Sequence, residues 1–386
     1  MSDGITIFVE QEDQMHRIRL RAARAVIVGR SSPSRYLFMA TVIVAIAIFI
    51  AGCGGGGSST VVSSNGGFKQ AGALYVGKGR CNDCHASTFA QFAGTVHGQN
   101  FHNLNGDDLI SGHGGSCLPC HTQGFNNPSG YNDPKITPTT KLALEGIGCE
   151  NCHGPGSKHA ASQSKADITR VPPDKQTCWA CHDPGYKMFD TPATIPTVND
   201  ATFQNTAPGS VGGPHHAQTI MLMGREAYNT PASPSPHSTL PNTCLNCHYR
   251  STTISPINGK VDHSQANLLP DVSDKDTRAA CVSCHGGGRL EDNPLQEGIK
   301  QMAIELGGAD ANGDPDANMA GGLLKAYATA KNITLTTNAA PTDPNVKAYK
   351  AARYNLGFVL SDKSLGVHNP GLTTKLLKDA KAMISN

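Results

Sequence analysis

Two cysteines three places apart, followed at once by a histidine, put two sulfur nucleophiles and an imidazole on five consecutive residues. This chain carries that arrangement six times. The copies are Cys81, Cys84 and His85; Cys117, Cys120 and His121; Cys149, Cys152 and His153; Cys178, Cys181 and His182; Cys244, Cys247 and His248; and Cys281, Cys284 and His285. Cys-x-x-Cys-His is the attachment signature of c-type haem. The thiols add across the two vinyl groups of one porphyrin, and the histidine stands beneath the iron as its proximal ligand. Six copies predict six covalently bound haems.

Paired Cys-x-x-Cys also suits structural zinc or a thioredoxin-like redox pair. Zinc sites close cysteine pairs on one another, whereas every pair here already has its own histidine. Twelve cysteines would make an even disulfide framework in an exported chain, but disulfides impose no Cys-His adjacency.

The second axial position decides between carrier and catalyst, because a haem with two histidines is closed and one with an open position can bind substrate. Outside the leader the chain has fifteen histidines. Six are proximal, which leaves His97, His102, His113, His159, His215, His216, His237, His263 and His368 for six distal places. The surplus permits every haem to be bis-histidine. Met188, Met221 and Met223 are alternative thioether ligands, with packing the more ordinary role for each.

Residues 37–51 are a continuous apolar run preceded by six arginines and ending at Ala51, Gly52 and Cys53. A basic stretch, a short apolar stretch and small residues form a cleavable export signal, and the run is shorter than the ~20 residues a membrane-spanning helix needs. The Ile-Ala-Gly-Cys segment resembles a bacterial lipobox, which makes Cys53 the expected lipidated first residue of the mature chain. Export is required in any case, because c-type haem is attached outside the cytoplasm. Residues 54–67 are all Gly, Ser, Thr, Val and Asn, and read as a flexible tether. Removing residues 1–52 takes six arginines and four acids from 32 basic and 30 acidic residues, leaving 26 of each. With two propionates per haem the holoprotein turns acidic, so a nucleic-acid partner is not expected.

The elements that position the motifs must be unusual, because hydrophobic residues make up only 38% of the chain while Gly and Pro number 42 and 24. Porphyrin faces supply the missing apolar surface. The expected fold is mainly α with extensive loops and little β, wrapped around closely stacked haems, and the apoprotein should be largely unfolded. Successive first cysteines lie 36, 32, 29, 66 and 37 residues apart. The expected organisation is a lipoprotein-type signal peptide at 1–52, a tether at 53–67, a four-haem region at 68–190, a two-haem region at 191–290 and a haem-free helical tail at 291–386. In the tail, apolar residues recur at i, i+3 and i+4 over 294–306, 319–331, 346–360 and 370–384.

The segments CLPCHTQGF at 117–125 and GIGCENCHGPGSKH at 146–159 resemble the tetrahaem cytochromes allied to hydroxylamine oxidoreductase and to pentahaem nitrite reductase. The likeness covers about residues 78–185 and implies parallel and perpendicular haem pairs with His159 and His97 as distal ligands. Weaker likenesses lie at GPHHAQ, residues 213–218, with LMG at 222–224, and at LGVHNP, residues 365–370. The last implies His368 as a distal ligand reaching back from the tail. His215, His237 and His263 complete the expected six, with His216 the runner-up to His215. The chain lacks the Cys-x-x-Cys-Lys variant that marks the catalytic haem of the nitrite reductases, so the enzyme reading loses its best marker.

The expectation is therefore an electron-transfer lipoprotein of a bacterial envelope, anchored at a periplasmic, outer-membrane or cell-surface site through its lipid. Its expected partners are redox proteins of the envelope, with self-association into a polymer or conduit as a further option. The alternative is a multihaem reductase acting on a small nitrogen or sulfur compound at a five-coordinate haem. Asp310, Asn312 and Asp314 are spaced like the first places of a calcium loop, but Pro315 stands where such a loop needs Gly, so a plain acidic turn is expected.

Overall fold

The computed structural model describes residues 71–103, 117–169, 177–183, 198–249, 263, 281, 285 and 294–385. The chain divides into two units, residues 1–61 and 62–386, and the first lies wholly outside the described residues. So do the expected signal, Cys53 and the tether, along with His113, Met188 and Cys284.

Helices and loops make up the described residues, with no strand among them and isolated bridges at Thr122 with Glu145 and Ala309 with Pro315. The first five attachment motifs lie on helices: α1 (Lys78–Ala93) holds the first, followed by α2 (Val96–Asn103) with His97 and His102. The second lies at α3 (Leu118–His121); α4 (Pro138–Ala143) follows it, then α5 (Cys149–His153) with the third, and α6 (Ser157–Ser162) with His159. The fourth and fifth are α7 (Trp179–His182) and α9 (Thr243–His248), with α8 (Gln218–Leu222) between them. A helical turn sets its first cysteine and its histidine, four apart, on one face. α1 is kinked at His85 itself (φ −119°, ψ 39°).

The tail forms α10 (Pro294–Gly307), α11 (Gly322–Ala330), α12 (Pro344–Asp362) and α13 (Pro370–Met383). Proline at the first turn and a capping side chain start the last two: Asp343 accepts from Asn345 N–H and Asn369 from Leu372 N–H. α12 ends at Lys363, which takes a left-handed conformation (φ 58°).

One hydrophobic core joins these helices to the stretch between the fourth and fifth motifs: Val198, Phe203, Val211, Ile220 and Met221 pack with Ile299, Leu324, Tyr349, Phe358 and Leu376. Polar contacts deepen the join. Lys350 Nζ donates to Phe203 O (3.0 Å) and Asn338 Oδ1 (2.6 Å), and Arg353 Nε donates to Val211 O (2.8 Å). Gly213 and Gly357 touch backbone to backbone, since a Cβ on Gly213 would stand 2.2 Å from Gly357 C. Met221 is fully buried in this core, with Thr373 Oγ1 3.6 Å from its sulfur, so it packs rather than ligates. The four-motif region has a much smaller core of Tyr75, Tyr131 and Leu144. At residues 310–316, Asp310 accepts from the amides of Asn312 (2.8 Å) and Asp314 (2.9 Å), and Asp314 pairs with Lys300, a plain acidic turn.

Candidate haem sites

Every proximal histidine faces a second imidazole. His85 lies opposite His159 (ring centroids 6.0 Å apart), His121 opposite His216 (6.0 Å), His153 opposite His263 (6.1 Å) and His182 opposite His97 (5.8 Å). His248 faces His368 (6.3 Å) and His285 faces His237 (5.8 Å). An imidazole nitrogen ligates a metal at about 2 Å and sits about 1.1 Å from its own ring centre, so two imidazoles on one metal put their centroids about 6 Å apart. The gaps are those of an axial pair, and the donor set fits haem iron.

Five of these facing rings belong to the expected distal set: His97, His159, His237, His263 and His368. The sixth differs. His216, the runner-up, faces His121 and also lies 5.5 Å from His182, edge-on, and His215 stands against His216 with centroids 4.0 Å apart. His216 adopts a left-handed conformation (φ 52°), which a non-glycine residue holds only when its surroundings demand it. His121, His215 and His216 bring their ligand atoms within 4.8 Å of one another.

Iron binding through Nε2 leaves Nδ1–H free to donate, and the partner it finds fixes the ring. His153 Nδ1 meets Thr169 O (2.6 Å), His159 Nδ1 meets Ser164 O (2.9 Å) and His182 Nδ1 meets Gln218 Oε1 (2.8 Å). His368 Nδ1 meets the Asp362 carboxylate (2.6 Å). His121 is the exception: Asn100 Nδ2, a donor, lies 2.9 Å from its Nδ1, while Asn100 Oδ1 accepts from Ile147 N (3.1 Å). Burial pushes His216 down to about 3, helped by His215, His182 and His121, and His248 down to about 4, helped by His368 and His182, so the lone pairs of these two rings are available to a metal near neutral pH. At His368 burial also pulls downward, but the Asp362 carboxylate more than reverses it.

The cysteines bring the motifs together. The Cys81 thiol is hydrogen-bonded to Cys149 and the Cys120 thiol to Cys181, so the first motif adjoins the third and the second adjoins the fourth. Burial, reinforced by Cys149, pushes Cys152 up to about 12, and Cys181 is raised by its Cys120 bond and by burial. Cys120 and Cys149 are shifted the other way, down, by their bonds to Cys181 and Cys81. His182 and His248 each lie close enough to His368 to be depressed by it, which extends the series to the fifth motif. The Tyr249 ring lies 6.2 Å from His263, tying the end of the fifth motif to the third pair.

Several residues that position these sites carry no sequence signal. Glu150, inside the third motif and 2% exposed, accepts from Val76 N (3.0 Å), Gly77 N (2.8 Å) and Gly156 N (2.7 Å), pinning the segment before α1 and the turn before α6 to α5. Burial pushes its carboxyl up while those amides pull it down. Gln218 bonds His182 and donates through Nε2 to Ser361 O (3.3 Å) and Asp362 O (3.4 Å), so the last turn of α12 braces the fourth site as well as the fifth.

Residues 80–154 match the family model described as cytochrome c554 and c-prime, and residues 144–318 match that of outer membrane cytochrome MtrC/MtrF-like, domains II/IV. The chain is a multihaem c-type cytochrome. This cytochrome is 24% identical over 162 residues to cytochrome c-554 of Nitrosomonas europaea, covering 34% of the chain and 66% of that protein. It is 23% identical over 328 residues to C-type polyheme cytochrome OmcB of Geobacter sulfurreducens, covering 80% of the chain and 33% of OmcB. It is also similar to the crystal structure of outer cell wall cytochrome OcwA, at 23% identity and a TM-score of 0.47 over 77% of the chain and 50% of OcwA. The multihaem cytochrome therefore spans about a third of OmcB and half of OcwA. No helix among the described residues is long and apolar enough to cross a membrane.

Proposed function

We propose that this cytochrome binds six c-type haems, each closed by two histidines, and conducts electrons along them without binding a substrate at iron. The observation that carries this reading is the facing of all six proximal histidines by a second imidazole at 5.8–6.3 Å. The distal ligands on this reading are His159, His216, His263, His97, His368 and His237, in motif order. Haem supplies reversible one-electron chemistry at iron; the chain supplies the thioether anchors, both axial imidazoles and the Nδ1 partners that hold them still. The first motif lies beside the third and the second beside the fourth at their cysteines, so transfer between those sites needs no moving part.

The surroundings follow from the same reading. The chain is exported and held by a lipid on Cys53 to the periplasmic or outer-membrane surface of a bacterial envelope. Redox proteins of that envelope are its partners, with an extracellular acceptor or further copies of the chain at the end of the path and no nucleic acid involved. The name of the matched family, an outer membrane cytochrome, supports that placement.

The test is low-temperature electron paramagnetic resonance of the oxidised protein, with haem stoichiometry on the same sample. Six haems, all low-spin, are expected. A high-spin signal of about one haem per chain, altered by nitrite or hydroxylamine, would overturn the carrier reading in favour of a reductase. Mass spectrometry of the mature N-terminus tests the lipid: a diacylated Cys53 is expected.

A further inference from the structure

His368 differs from the other axial histidines whose Nδ1 acceptor is defined. His153, His159 and His182 give Nδ1–H to neutral oxygens, whereas His368 gives it to the carboxylate of Asp362, whose side chain is 1% exposed. That carboxylate sits at the last residue of α12 and is fixed from its other side by the Ser364 hydroxyl, which also accepts from His368 N–H (3.1 Å). Gln296 Nε2 donates to Ser364 O (3.1 Å), which holds the turn onto α10. A charge-assisted bond of this kind draws the Nδ1 proton toward oxygen and leaves more electron density at Nε2. An iron bound there is better stabilised as iron(III) than as iron(II), and its potential falls.

We propose that Asp362 is a positioning residue that sets the potential of the fifth site, so that this site is reduced after the first, third and fourth. The proposal rests on the bis-histidine reading above. Each reduction adds one electron to one iron and breaks no bond. The consequence is a step in the path: electrons entering the four-motif side fill its first, third and fourth sites before crossing to the fifth. The same turn of α12 stands at that crossing, because the carbonyls of Ser361 and Asp362 take Gln218, whose other end holds His182.

The test is Asp362→Asn in the full holoprotein, followed by spectroelectrochemical titration. Asparagine keeps an oxygen for Nδ1 and removes the charge, so one midpoint among the lowest three is expected to rise while the other five stay. Asp362→Glu is expected to restore it at least in part. Midpoints that superimpose on wild type, or six that shift together, would overturn the proposal. If the Asn variant does not assemble, His368→Met serves instead, since a thioether raises the potential of its haem. The midpoint it removes must be one of the lowest three; loss of one of the highest three would sink the idea. A high-spin fifth haem in wild type would instead refute the reading on which the proposal stands.

Discussion

Glu150 offers the sharpest test of how the four-motif region is held, because its core is small and its carboxylate takes three backbone amides from two other segments. Glu150→Ala leaves Val76, Gly77 and Gly156 N–H groups without their acceptor in a site where Glu150 is 2% exposed. A stranded buried donor costs about 1–3 kcal/mol. Three of them, with partial relief from water entering the space left by the side chain, come to about 3–6 kcal/mol, a large part of the ~5–15 kcal/mol that holds a domain together. Glu150→Gln keeps the shape but turns one oxygen into a donor that faces an amide, so the cost falls to about 1.5–3 kcal/mol, that of a hydrogen bond to a charged group. The assay is guanidinium unfolding of the purified holoprotein, followed in parallel by loss of the low-spin Soret band and by far-ultraviolet circular dichroism. The midpoint is expected to fall in the order wild type, Gln, Ala, with the Soret change preceding the loss of helix signal from the tail. Equal midpoints for Ala and wild type would refute the cradle, and a Gln variant worse than Ala would refute the ranking of its parts.

Three further outcomes follow from the geometry. Gly357→Ala forces a methyl to within 2.5 Å of Gly213 N, and such overpacking costs about 1–3 kcal/mol; a new high-spin fraction at the second haem is expected, and an unaltered spectrum would count against the contact. His216→Ala should open one haem to carbon monoxide, whereas His215→Ala should leave all six low-spin; the reverse pattern would return the ligand role to His215. Lys350→Met removes the donor to Phe203 O and Asn338 Oδ1 and should lower the thermal midpoint by an amount equivalent to about 1–3 kcal/mol without changing the spin state of any haem. A spin-state change there would mean that the stretch between the fourth and fifth motifs is held more loosely than its core implies.

The attachment cysteines and proximal histidines are legible because the chemistry of the bond fixes both residue type and spacing. The tail is legible for a different reason: it buries an apolar stripe, and a stripe has a period. Expected spans of 294–306, 319–331, 346–360 and 370–384 meet helices at Pro294–Gly307, Gly322–Ala330, Pro344–Asp362 and Pro370–Met383. The second begins late because Met319 and Gly322 turn left-handed (φ 53° and 58°), a local reversal that apolar spacing does not encode. His215 and His216 are adjacent and look alike in sequence, so spacing does not say which ring faces His121. Glu150, Gln218 and Asp362 were illegible because their partners are amides, carbonyls and ring nitrogens brought near by the fold.

The two halves thus depend on different forces, and the weaker borrows from the stronger. Around the first four motifs there is little apolar core, so the axial rings there are held by single hydrogen bonds from the chain. The tail has a large core and no attachment motif, yet the end of α12 orients His368 through Asp362 and His182 through Gln218. A rigid helix end is a better reference for two imidazoles than a loop, since its position is fixed by packing along nineteen residues. Substitutions in the tail core, distant from every cysteine, should therefore disturb the fourth and fifth haems spectroscopically before any helix is lost.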